Sequence, residues 1–84
     1  MKVLVGFEKS INPEKKYDAI IKNGKRLSRI QFGQIGYEQY HDKLGLYKEF
    51  DHWDKDRRRR YKMRHESDRH IKFSPGWFAD QYLW

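Results

Sequence analysis

The chain has 84 residues, enough for one small domain and too few for two. It contains no Cys, which excludes a disulfide-stapled secreted scaffold and a thiolate zinc site, and no long apolar run, so neither a transmembrane helix nor a signal peptide is expected. The formal net charge is +7 and the pI is near 9.7, which favours acidic partners: nucleic acid, an anionic membrane surface or an acidic protein face. Charged residues reach 37%, a composition that drifts toward disorder, but aromatic residues at 17% argue for a packed core.

Residues 2–7, Lys-Val-Leu-Val-Gly-Phe, read as a strand, with Val3, Val5 and Phe7 sharing one face. Asn12-Pro13 marks a turn. Asn23-Gly24 suits a type I′ hairpin, which needs φ > 0 at both central residues. A two-residue loop there pairs Lys22 with Lys25, Ile20 with Leu27, Asp18 with Arg29 and Tyr17 with Ile30. Period-two alternation places Tyr17, Ala19, Ile21, Ile30 and Phe32 on one face, and Asp18, Lys22, Lys25 and Arg29 on the other. Residues 2–7 form the third strand of this antiparallel sheet.

Phe32-Gly33-Gln34-Ile35-Gly36 closes the sheet, its glycines implying special backbone geometry or close approach. Tyr37 to Asp42 is expected to form a short helix, broken at Gly45. Leu46 to Phe50 is a loop or half-turn. A basic helix follows over roughly residues 54–66, with Asp54 as N-cap, Asp56 in the first turn, and Arg64 and His65 in the last. Residues 55–64 hold seven Lys or Arg against one Asp, so this segment carries nearly the whole net charge. Ser67 to Phe73 is a polar loop. Ser74-Pro75 starts a last, mostly apolar helix over 75–84. The expected architecture is α+β: a small three-stranded antiparallel sheet covered by the basic helix and a short C-terminal aromatic helix.

Four stretches together resemble a family of small basic proteins encoded by large double-stranded DNA viruses and aquatic phages, a family without an assigned activity. They are Lys15-Lys16-Tyr17-Asp18-Ala19; Phe32-Gly33 followed by Gly36-Tyr37 and Tyr40; Asp51-His52 and Asp54 leading into Arg57-Arg58-Arg59-Arg60-Tyr61 and Arg64-His65; and Tyr82-Leu83-Trp84. Order and spacing carry the likeness. Lys55 departs from it, standing where the family more often has Pro. The resemblance implies a viral source, a minor virion component, and location in the virion or infected cell.

The candidate site is the basic helix. Arg57, Arg58, Arg59, Arg60, Lys62 and Arg64 would contact phosphates, giving salt-dependent affinity without sequence reading. The plainer alternative is a solvated face, or pairing with Asp51, Asp54, Asp56, Glu66 and Asp68. A helix turns every 3.6 residues, so four consecutive arginines cannot face one ligand, and some must bridge back onto the body. Trp77, Phe78, Tyr82 and Trp84 either cover the sheet or dock a partner. Gly33-Gln34-Ile35-Gly36 matches the Gly-x-x-Gly clamp of the KH fold, but its middle residues are not basic and a strand precedes it, which favours a simple turn.

The groups His41, Asp42, Asp51, His52, His65, Asp68 and His70 lack helical metal-ligand spacing, so no metal or cofactor is expected. Asp51-His52 resembles the opening of a His-Asn-His nuclease motif, yet no Asn follows Asn23. No nucleophile motif or phosphate-binding Gly-rich loop occurs. The sequence therefore points to a non-enzymatic structural or binding protein whose basic helix holds nucleic acid or an acidic capsid-protein surface. The alternatives are a soluble nucleic-acid-binding regulator in the infected cell and, more distantly, a metal-dependent nuclease.

Overall fold

The computed structural model describes every residue from Met1 to Trp84. Three strands, β1 (Lys2–Lys9), β2 (Lys15–Asn23) and β3 (Arg26–Gln34), form an antiparallel sheet in that order. A single 3-10 turn at Lys48–Phe50 precedes helix α1 (Lys55–Arg64), and helix α2 (Pro75–Tyr82) closes the chain. This is the α+β architecture expected from the sequence.

The hairpin faces are as the alternation requires. Tyr17, Ala19, Ile21 and Phe32 are buried, and Ile30 packs against them. The register differs from expectation by two residues. Asn23 pairs with Arg26, Lys22 with Leu27, Ile20 with Arg29 and Asp18 with Gln31. The loop is therefore Gly24-Lys25, and Gly24 alone has a positive φ, +63°. That sign pattern belongs to a type II′ turn, which puts its one left-handed position on glycine. A type I′ turn would have forced Asn23 into that region as well, and would have set Lys22 opposite Lys25. A shift of two preserves every side chain's face.

In β1 the expected face is corrected. The ladder pairs Leu4 with Ile21 but Gly6 with Ile20, so a bulge at Val5 interrupts the alternation. An extra residue reverses the faces beyond it. Leu4 and Phe7 consequently pack on the core, while Val3 and Val5 are exposed.

The core joins the inner sheet face to α2. Ser74 caps α2 by accepting the Trp77 N–H at 3.1 Å, and Pro75 occupies the first helical position, where its missing N–H is no loss. The helix brings Phe78 against Phe32, with ring centroids 5.4 Å apart. Leu83, just past its end, approaches β3 at Gly33, where a Cβ would lie 3.0 Å from Leu83 Cδ1 and 3.1 Å from Lys16 Cβ. Gly33 also has φ +79°, so both reasons for a glycine hold there. Helix α1 lies outside this core: none of its residues is buried, and Tyr61 alone reaches the cluster. It stops at Arg64, with His65 as its C-cap.

The expected helix over Tyr37 to Asp42 is absent. The segment runs extended because its backbone groups bond to distant partners. Gln39 N–H donates to Phe50 O, His52 N–H to Gln39 O, and His41 N–H to Leu83 O. Polar side chains complete the tie. Lys16 Nζ donates to Tyr37 O at 2.6 Å and to Gln39 Oε1. Gln39 Nε2 donates to Asp51 Oδ1 at 2.6 Å and to Tyr47 O at 2.8 Å. Asp42 accepts from Tyr17 OH at 2.6 Å and from the Leu44 and Tyr47 N–H groups, each at 2.8 Å.

Buried carboxylates set the acid limit of this fold. Asp18 is 0% exposed; burial alone would raise its pKa, but Ser10, the Ile11 N–H and Arg29 together hold it below the usual range. Asp51 is treated alike by burial, then by Gln39, the Asp42 N–H and His41. Their folded values lie below the ordinary 3.8, so their contribution is complete above that value and is lost as pH falls through the folded ones. The denaturant midpoint is expected to decline modestly from about pH 7 to pH 5, because His52 with its lowered pKa takes up a proton more readily when unfolded, and to fall further below about pH 4 as these carboxylates protonate. A midpoint unchanged down to about pH 2 would contradict this.

Candidate nucleic-acid interface

Asp54 fixes the start of α1. Its carboxylate accepts the Asp56 N–H at 2.9 Å and the Arg57 N–H at 3.2 Å, and these bonds, the Arg57 one foremost, hold its pKa down. From that start the helix distributes its cations around its axis.

One side faces the body. Tyr61 lies flat on Trp84, with ring centroids 4.1 Å apart and planes at 3°. Burial is the main reason its phenol is pushed up to about 12. Arg58 Nε donates to Trp84 O at 2.9 Å, and its guanidinium sits 5.0 Å from the Tyr40 ring centre. Lys62 pairs with buried Asp80 at 2.8 Å, and Arg69 approaches the same carboxylate at 3.7 Å. Arg57 reaches Glu38 at 2.9 Å. Arg57, Arg58 and Lys62 are thus engaged by the molecule itself. Apart from Asp56, the acceptors are not the neighbouring carboxylates expected from the sequence. Asp51 is held by Gln39 and His41, and Glu66 takes Arg69 and His70.

The other side is open. Arg60 and Arg64 are exposed and form no ion pair or side-chain hydrogen bond within the chain. Arg59 lies at the 4.0 Å limit from Asp56, with both side chains mostly exposed, an arrangement worth little. Lys55 is exposed and unpaired. Lys55, Arg58, Arg59, Lys62 and Arg69 line a shallow groove along α1, with Glu66 its one acidic residue. On the opposite flank, Arg57, Arg64 and His65 line a cleft shared with Lys15 and Tyr37. The six cations named from the sequence therefore lie on one helix but divide between anchoring and display.

The four C-terminal aromatics are engaged in packing. Phe78 is 0% exposed, Tyr82 meets Phe7 at 4.6 Å, Trp84 stacks on Tyr61, and Trp77 lies against Phe73 and Phe78 at 5.6 and 5.0 Å. No three His, Asp or Glu side chains come together in a metal-holding group. His52 accepts the Asp54 N–H through Nδ1 and packs against Trp84 at 5.2 Å. Burial and then Arg57 lower its pKa. No helix is long and apolar enough to cross a membrane. Comparison with protein-family models, curated proteins and solved structures finds no match.

Sequence reasoning missed the residues that orient this surface. Glu38, Asp80 and the Trp84 carbonyl come from outside α1, and no local pattern ties them to it. Trp53 reads from the sequence as an aromatic that could stack bases but more readily fills the core; it is instead 57% exposed and precedes the Asp54 cap with φ +56°.

Proposed function

We propose that this chain is a non-enzymatic nucleic-acid-binding protein in which α1 holds phosphates. In the setting the sequence resemblance implies, it acts as a minor virion component. The observation that carries the reading is the asymmetry of α1. Its body side consumes Arg57, Arg58 and Lys62, while Lys55, Arg59, Arg60 and Arg64 remain outward. These four fall within ten residues, about 15 Å of helix. Successive members are at most about 6 Å apart along the axis, within a Debye length of about 8–10 Å, so neighbouring fields add, and a polyanion relieves their repulsion. Anchoring by Tyr61 and Arg58 fixes the helix before any ligand arrives, with Lys55 and Arg59 along one flank and Arg64 along the other, which reduces the ordering cost of binding.

Four phosphate contacts predict that duplex affinity falls with a log–log salt slope of about −3.6 between roughly 50 and 200 mM salt. Fluorescence anisotropy on a labelled duplex measures it. Absence of binding at the low end, with retention of an acidic protein surface, would replace nucleic acid by a protein partner. Preference among duplex sequences would favour a regulator. Mass spectrometry of purified particles tests the virion setting, where recovery at high copy is expected and absence removes it.

A further inference from the structure

We propose that Trp53 is a stacking platform for an unpaired base, so that the preferred ligand is single-stranded nucleic acid; this rests on the phosphate-binding reading of α1.

Two non-glycine residues have left-handed backbones, Trp53 at φ +56° and Phe73 at φ +67°. Each directly precedes a helix cap, Asp54 or Ser74. That conformation is unfavourable for a bulky side chain. For Phe73 the core offsets it: the ring is half-buried and parallel to Phe78, 5.7 Å away. Trp53 is not offset by core burial, because 57% of it is exposed. A strained backbone that presents a large aromatic to solvent calls for a different use.

The ring is braced. It stacks on His41 at 4.2 Å with planes at 26°, and Tyr40 meets it at 5.6 Å. His41 is tied to Asp51 at 3.1 Å, Tyr40 carries the Arg58 guanidinium, and the Trp53 N–H donates to Tyr40 O at 3.1 Å. A ring held this way loses little freedom when a base lies on it. Of the nearby acids, Asp54 caps α1, while exposed Asp56 is only loosely opposed by Arg59 at 4.0 Å. Lys55 follows two residues later, and Arg60 stands about 7.5 Å further along the helix. An aromatic beside a row of cations is the arrangement that binds single strands without sequence preference, since every base has a π-face. In a duplex those faces are already stacked, so the platform discriminates against it.

The test compares the full chain with Trp53→Phe, Trp53→Leu and Trp53→Gly, titrated with oligothymidylate, a duplex of equal length and inorganic polyphosphate. Wild type is expected to bind the single strand more tightly than the duplex, with a fluorescence quench that Trp53→Phe lacks. Trp53→Leu should weaken single-strand binding about 5- to 150-fold, leave duplex and polyphosphate binding unchanged, and be largely rescued by Phe. Trp53→Gly adopts a positive φ freely, so it keeps the fold while removing the ring and should show the same selective loss. Equal single-strand binding by wild type and the Gly variant overturns the platform and leaves the phosphate reading standing. No binding of any polyanion overturns both.

Discussion

Replacing Asp42 by alanine will cost this domain a large share of its stability. Asp42 is 0% exposed and accepts three hydrogen bonds, from Tyr17 OH, Leu44 N–H and Tyr47 N–H. The Tyr17 hydroxyl in turn accepts the Leu46 N–H at 3.0 Å. One carboxylate thus ties the centre of β2 to the loop over residues 44–47. Alanine leaves three donors without their acceptor, the Tyr17 hydroxyl fully buried and the Leu44 and Tyr47 N–H groups partly so. Each such group costs about 1–3 kcal/mol, so the change should exceed about 3 kcal/mol. A chain of this length has only roughly 4–13 kcal/mol in total. Urea denaturation should show a much lower midpoint or no folded baseline. A loss below about 1 kcal/mol would mean that the loop reorganises to satisfy these donors.

Phe78→Ala should be comparably severe, through packing alone. Phe78 touches Phe7, Phe32, Phe73, Trp77 and Tyr82, at centroid separations from 5.0 to 6.4 Å. It is the one large residue of α2 that is fully buried, and it lies between the sheet and the helix. Removing such a ring costs about 3–5 kcal/mol, because its rigid neighbours cannot close the cavity. With no disulfide in reserve, α2 should detach from the sheet. Near-UV circular dichroism should then lose its aromatic signal while far-UV strand content falls less. A retained aromatic signal with an unchanged denaturation midpoint would show that the core does not depend on this residue.

What the sequence disclosed follows from how local each determinant is. The caps of both helices were legible because Asp54 and Ser74 act within three residues. The buried face of the hairpin was legible because parity survives a two-residue slip. The register was not, because one glycine's dihedral decides between two turn types. The Val5 bulge was hidden, since Val-Leu-Val-Gly-Phe alternates plausibly on either face. Tyr37 to Asp42 misled because its hydrogen-bond partners lie at residues 50–53 and at the end of the chain. The same limit governs the site. Consecutive arginines showed that some must face inward, but only Glu38, Asp80 and Trp84 decide which.

The central claim is that α1 displays Arg59, Arg60 and Arg64 to phosphates while the rest of its charge holds it in place. Its most direct measurement is the salt dependence of duplex affinity for wild type and for a variant with all three changed to Gln. These side chains carry little of the fold, so the denaturation midpoint should be nearly unchanged. The log–log slope should shrink by about 0.9 per arginine, from about −3.6 to about −0.9. An unchanged slope in a folded triple variant would contradict the claim and place the binding surface elsewhere on the molecule.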